Sequence, residues 1–398
     1  MWAAGALDGY SRANRVRSTL PTTWPSPVWK NSAMGANKEV RSMVNRVVRT
    51  RARGGTFRGA PLPDRDGLGP SRVRVPEYDQ WPQIAGAPEP PPPGSDGTPS
   101  ITALALVTHM IMAQRHRHPE DNHQAIAERF AAKEVVLRDG TALRPDSELT
   151  PGTDVWFYRR PAPEKPVPFD LEILHQDSDL VVVHKPPFLA TAPRASHITE
   201  TAVVRLRRQL GIAELSPAHR LDRLTSGVLV FTARREVRGA YQELFARRAV
   251  EKQYEAIAPW VPTSPGTVWS SRLFKQHGNM SAQVVPGEPN AFTEVVSAKP
   301  LEARECRHVE AAFGPQPPLA RYLLRPRTGK THQLRMHLLA HGAPIVGDPV
   351  YPKVQPLEAE DFSRPMLLCS RSVAFVDPLS GRARRFESVT PLLPGWPS

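Results

Sequence analysis

The chain has 398 residues, a formal net charge of +13 and a pI near 10.1. That length allows two or three domains, and the charge calls for a polyanionic partner, either nucleic acid or an anionic membrane surface. Two cysteines exclude a disulfide framework or a thiol zinc site. No apolar run reaches the roughly 18 residues of a membrane span, and the N-terminus lacks the apolar region of a secretory signal, so the cytoplasm is the expected compartment.

Residues 1–57 carry many arginines and lysines against only Asp8 and Glu39, with no sustained apolar period. They read as a disordered basic extension, either a phosphate-contacting arm or an inert tail. Residues 58–99 accumulate prolines and end in Pro90-Pro91-Pro92-Pro93-Gly94, which predicts a linker of polyproline character.

A small module is expected over 100–160. Ile101 to Gln114 and Asp121 to Lys133 read as helices, and Val135-Val136-Leu137 and Asp154 to Tyr158 as short strands. His109, His116, His118 and His123 cluster here. No carboxylate or thiol completes a ligand set, so solvated histidines are the expectation.

A second proline-rich joint precedes a domain over 165–398. Its first elements are two apolar runs around Asp177-Ser178-Asp179, which predict a β-hairpin ending in His184-Lys185-Pro186-Pro187-Phe188. Helices follow at Glu200 to Leu210 and Glu236 to Arg248. Strands are expected at Glu251 to Ala258, Val284 to Lys299, Ala320 to Leu324, Leu367 to Val376 and Arg384 to Val389. Thr331 is placed to cap a helix ending at Gly342.

Within this domain stands His219-Arg220-Leu221-Asp222-Arg223-Leu224-Thr225-Ser226-Gly227. Read alone, it is a surface turn with a solvated Arg-Asp-Arg triplet. The whole string resembles the HRLDxxTSG signature of the RluA-type RNA pseudouridine synthases. Lys252-Gln253-Tyr254 resembles the family's KxY motif, and Thr328 to Leu338 is similar to TGRTHQIRVHL, with Lys330 where the family has arginine. Gly342 to Tyr351 is similar to its GhPIlGDxxY loop. The hairpin's second strand resembles the family's vvnKPaG segment, with Phe188 in the glycine position, which predicts a different turn because phenylalanine resists positive φ. The small module is similar to a degenerate S4 RNA-binding module.

The resemblance implies an α+β fold: a pseudouridine synthase domain with a mostly antiparallel central sheet flanked by helices, preceded by the S4-like module and the disordered N-terminus. It implies an isomerase that detaches uracil from its ribose and rejoins it through C5, in 23S rRNA or tRNA. No metal or organic cofactor and no membrane partner is implied, and a monomer is expected. Asp222 is the expected catalytic carboxylate, Arg335 the guanidinium that keeps it ionised, and Tyr254 an aromatic face with a hydroxyl for the uracil. Arg220 would fill the gap left by a flipped nucleotide, and Lys330, His332 and Gln333 would bind substrate. Two rivals remain: a non-catalytic RNA-binding or ribosome-assembly factor on the same fold, and a base-releasing hydrolase.

Overall fold

The structure is a computed structural model that describes residues 60–84, 100–276, 279–356, 360–393 and 395. The basic extension at 1–57 lies outside the described residues. The strands are β1 Ser71–Arg74, β2 Ile101–Thr102, β3 Val136–Leu137, β4 Glu148–Leu149, β5 Asp154–Phe157, β6 Glu172–Gln176, β7 Leu180–Lys185, β8 Ser216–Pro217 and β9 Ser226–Thr232. They continue with β10 Val250–Pro259, β11 Val268–Ser271, β12 Leu273–Phe274, β13 Gln283–Val284, β14 Ala291–Pro300, β15 Leu319–Pro326, β16 Leu368–Val376 and β17 Ala383–Glu387. The helices are α1 Ala103–Met112, α2 His123–Ala131, α3 Ala202–Leu210, α4 Arg235–Ala246, α5 Ala303–Phe313 and α6 Gln333–Ala340.

The small module has its own core. Helices α1 and α2 bury Leu106, Val107, Ile111, Ile126 and Phe130 against Val155 and Phe157 of β5. Thr102 and Asn122 cap the two helices, each side chain accepting from a backbone N–H three residues on. The stretch read as linker does not stay outside this module. β1 pairs with β5, and Val73, Val75, Trp81 and Ile84 join the core. Proline richness masked the short apolar pattern that these residues bury. Upstream, Tyr158 donates to the Pro63 carbonyl, and Arg207 and Arg208 of α3 reach Asp64 and the Asp66 carbonyl, so residues 63–67 bridge the module to α3.

The larger unit is built on a ten-stranded sheet in the order β11-β14-β15-β10-β16-β9-β7-β6, with β8 on β9 and β17 on β16. All pairings are antiparallel except β9 with β16. Helices cover both faces, which explains why β7 and β9 are buried along their whole length. On one face, α3 and α6 pack on Val181, Val183, Leu229, Phe231, Tyr254 and Ala256. On the other, α4 packs on Val182, Val230 and Val373, and α5 on Ile257 and Leu367. Helix α5, held by a Glu302–Glu305 capping box, has no counterpart among the expected elements.

Three local expectations change. Phe188 adopts φ 65° rather than avoiding it. Its ring is buried between Phe169 and Phe362, and that burial outweighs a left-handed penalty of about 1–2 kcal/mol. Thr331 does not cap α6; His332 is the cap residue, also left-handed. No side chain caps the helix; the Gln333 side-chain Oε1 instead ties down the turn before it, accepting from the Lys330 N–H at 3.1 Å and from the Thr328 hydroxyl at 2.7 Å. The single strand expected from Val284 to Lys299 is broken, because β13 turns back onto β12 before β14 begins.

Candidate active site

The loop 219–225 enters from β8 and leaves into β9, and its apolar residues set its shape. Leu221 and Leu224 are buried, so the side chains between and before them turn outward. The Thr191 hydroxyl brackets Leu221, donating to its carbonyl at 2.9 Å and accepting its N–H at 3.2 Å. Lys185 is fully buried and donates to the carbonyls of Pro186, Leu189 and Arg223 at 2.8, 2.7 and 3.1 Å. Three carbonyls around one ammonium clamp the end of β7 to the loop. Burial pulls the lysine down to about 7. At the exit, a Cβ on Gly227 would lie 2.2 Å from the Ser370 carbonyl oxygen of β16, so only glycine lets the two strands meet.

Asp222 stands at the loop's outer bend, its side chain 36% exposed at the tip. The nearest guanidinium is that of Arg335 on α6, with Nη1 3.9 Å from Oδ2. That is a loose contact, because Arg335 is committed elsewhere. Its Nε and Nη2 donate to the two oxygens of Asp348 at 2.7 and 2.6 Å, a bidentate pair buried on both sides. Asp348 also accepts from the N–H groups of Val350 and Tyr351, and the Tyr351 ring centre lies 5.0 Å from the guanidinium carbon. Burial pulls Arg335 down, but hydrogen bonding to Asp348 outweighs it and the arginine ends above its ordinary value.

At Asp222 burial works against the surrounding cations, and Arg335 favours the ionised form as expected. Enclosure by protein pushes its pKa up, and Arg335, Lys275, Lys185 and Arg220 pull it back in that order without cancelling the rise. Arg335 opposes the shift rather than securing an ordinary carboxylate. Tyr254 lies on the same face from β10, just past an irregularity in its pairing with β16. Burial and the nearby Asp222 carboxylate raise it to about 12, so the phenol stays protonated.

The other expected residues divide. Arg220 is exposed beside Asp222. It follows His219, whose ring stacks on Phe245 at 4.3 Å and accepts the Val230 N–H. Lys330 is exposed at the start of α6. His332 contacts the Tyr351 hydroxyl through Nδ1 at 2.8 Å, and burial followed by the cations Arg335 and Lys275 lowers it to about 3, leaving a neutral imidazole. Gln333 does not face substrate. It is buried, and its amide nitrogen donates to the Phe292 carbonyl and the Thr293 hydroxyl while its oxygen holds the turn before the helix. Sequence reasoning missed Lys185, Lys275 and Asp348 as members of the site. Lys185 and Asp348 lay inside quoted motifs without a role, whereas Lys275 lies outside all of them. Among the described residues no group of histidine, cysteine and carboxylate side chains is arranged to hold a metal ion.

Residues 179–340 match the family described as RNA pseudouridylate synthase. A tRNA pseudouridine synthase C of Vibrio parahaemolyticus is 34% identical over 222 residues, 54% of this chain and 87% of that protein. The chain belongs to the RluA-type RNA pseudouridine synthase family. Dual-specificity RNA pseudouridine synthases RluA from Escherichia coli and Haemophilus influenzae are 32% and 30% identical, each over 55% of this chain and 92% of the relative. The synthase is therefore an isomerase, and its matched region runs from the edge of β7 to the end of α6. The small module lies outside that region. Among the described residues no helix is long and apolar enough to cross a membrane.

Proposed function

We propose that the synthase converts specific uridines of tRNA or 23S rRNA to pseudouridine, with Asp222 as the carboxylate that carries the chemistry. The observation behind this reading is the position of Asp222: an unshared, half-buried carboxylate at the bend of its loop, ringed by cations and facing a protonated tyrosine. One group of relatives is named for tRNA and the other for a dual specificity, which supports tRNA and a second RNA; 23S rRNA is the second RNA proposed here.

The reaction breaks the bond between N1 and C1′ and forms one between C5 and C1′; C5 releases a proton and N1 gains one. An anionic oxygen beside the sugar either bonds to carbon or stabilises the positive charge that develops there, and afterwards accepts the C5 proton. A carboxylate with a raised pKa suits that last step better than a free one. Tyr254 offers the uracil a flat face and a neutral hydroxyl. Arg335, immobilised by Asp348, supplies a fixed positive field without a direct bond that would quench Asp222. Arg220 is free to enter the base stack when the uridine swings out, offsetting an unstacking cost of a few kcal/mol. Lys330 is read as a phosphate contact and neutral His332 as a polar edge for the uracil.

The small module, with residues 71–84 included, is read as an S4-like RNA-holding unit. A concavity of about 410 Å³ lined by Arg72, Arg74, Arg159 and His109 supports that reading. Such an enzyme would work as a monomer in the cytoplasm, where its RNA is. Mapping pseudouridines across the transcriptome with and without the gene tests the proposal. Loss at discrete tRNA or 23S rRNA uridines is expected; an unchanged map, with RNA binding intact, would favour the non-catalytic assembly factor.

A further inference from the structure

The hairpin of β12 and β13 exposes apolar side chains on both of its faces that the chain's own packing does not explain. Phe274, Met280 and Val284 are 54%, 56% and 47% exposed within it. Exposed apolar side chains scattered singly are ordinary, but several gathered on one small element mark a contact surface. The hairpin's inner side is firmly fixed. Leu273 and Ala282 are buried with Met336, Val350 and Tyr351, which adjoin Arg335 and Asp348 in the chain. Asn290 holds Leu273 through both its N–H and its carbonyl, and the Ala282 N–H donates to the Tyr351 hydroxyl at 2.6 Å. The element that presents Phe274 is thus tied to the elements that set the active site.

Two exposed cations, Lys275 and Arg194, stand beside it. Lys275 is exposed, and among the described residues no carboxylate lies within ion-pair distance of it. It lies within electrostatic reach of Asp222, Arg194 and Arg335. Arg194, on the loop after β7, is likewise exposed and without an ion pair among the described residues. Cations lacking acids beside a flat aromatic face suit a single nucleic-acid strand, whose phosphates answer the charge and whose bases answer the ring. An acidic protein surface would answer the charge alone.

We propose that the β12–β13 hairpin grips the RNA strand beside the target uridine, Phe274 stacking on the neighbouring base and Lys275 holding the phosphate between them. This rests on the reading of the cleft as a uridine site, and it assigns to the hairpin the grip that keeps the strand in register while the uridine is out of its stack. Stacking tolerates any base, so the hairpin contributes affinity and register rather than sequence choice.

The test uses the full chain and, as probe, total RNA from cells lacking the gene, with apparent KM and saturated rate measured at several salt concentrations. Phe274→Ser should raise apparent KM about tenfold, within the range of one base-on-aromatic stack, with the saturated rate nearly unchanged. Phe274→Tyr should behave as the parent, and Phe274→Leu, which keeps apolar area but loses the flat ring, as the serine variant. Lys275→Gln should make the log-log salt dependence shallower by roughly 0.7. Both side chains, Phe274 and Lys275, are exposed, and an unchanged melting temperature checks that the four variants fold. Parental KM in Phe274→Ser, or full function in Phe274→Leu, would overturn the proposal. So would a variant that changes sedimentation but not KM, which would assign the face to a second copy or another protein. If the parent forms no pseudouridine, the failure lies with the proposed function. Filter retention of the same RNA by parent and variants then decides the hairpin separately.

Discussion

Asp348 and Asp222 stand on two sides of one guanidinium, and the protein treats them oppositely. Asp348 is enclosed, takes both short bonds of Arg335 and accepts two backbone N–H groups as well. Asp222 keeps only a 3.9 Å approach and an exposed tip. A carboxylate locked into a bidentate pair is a poor base and a poor nucleophile, since reaction would have to break the pair first. Giving the arginine a second, dedicated acid fixes the positive charge and leaves the first acid available. The lesson is that a site can separate the partner that orients a cation from the group that uses its field.

That contrast is most sharply broken at Asp222 itself. Asp222→Asn preserves shape and removes charge, and single-turnover pseudouridine formation should fall by about 10⁴-fold or more, while RNA affinity stays within a few fold. Substantial residual turnover would mean that the open carboxylate is not the reacting one. Arg335→Met should lower turnover by orders of magnitude and also destabilise the fold by about 3–5 kcal/mol, because Asp348 is left buried without its partner. Denaturant unfolding separates the two effects. Asp348→Asn keeps the cation but leaves its buried charge uncompensated, so it too should destabilise the fold by about 3–5 kcal/mol, and it should loosen the guanidinium's aim. A rate equal to the parent's would show that Asp348 does not position Arg335.

The pH dependence gives a smaller effect with a definite sign. Burial raises Asp222 above the ordinary carboxylate value of 3.8, so the acidic limb of the saturated rate should centre above that value. Removing a cation that opposes the rise should move the limb further up, more in Arg335→Met than in Lys275→Gln. A downward shift would reverse the electrostatic assignment.

Smallest is the effect on stability. A carboxylate whose folded pKa is raised contributes stability that is full below its unfolded pKa and lost as pH rises through the folded one. At neutral pH ionised Asp222 therefore weakens the fold, and Asp222→Asn should raise Tm by on the order of a few degrees. The gain should vanish in scans below about pH 4.

Asp222, Tyr254 and Arg335 were legible because each sits in a motif whose residue types are tied to the chemistry, and the structure brings them together. The role of Asp348 was not legible. An aspartate after a glycine reads as a turn former until the chain's path returns it to α6. Lys275 was hidden for a different reason: its relevance comes from a hairpin folded onto Tyr351, which no local pattern announces. Phe188 and Gln333 misled in opposite ways. Steric preference argued against positive φ at Phe188, yet a deep aromatic contact prevailed. Gln333 stood among candidate substrate contacts, yet it is buried and ties the turn before α6 to β14. In the small module, proline content concealed β1, because a four-residue strand offers too short an apolar alternation to stand out.

The parallel pairing of β9 with β16 sets the order in which this enzyme becomes competent. The Ser226 hydroxyl bonds to the Leu368 carbonyl across 142 residues of chain, and Gly227 is shaped to receive Ser370. The loop bearing Asp222 therefore lacks its exit support until a much later strand has been made. At translation rates of about 5–20 residues per second, that wait is roughly 7–30 s. A contact so distant in sequence is also slow to find once both ends exist. Nascent chains should carry the whole signature yet form no pseudouridine until β16 docks.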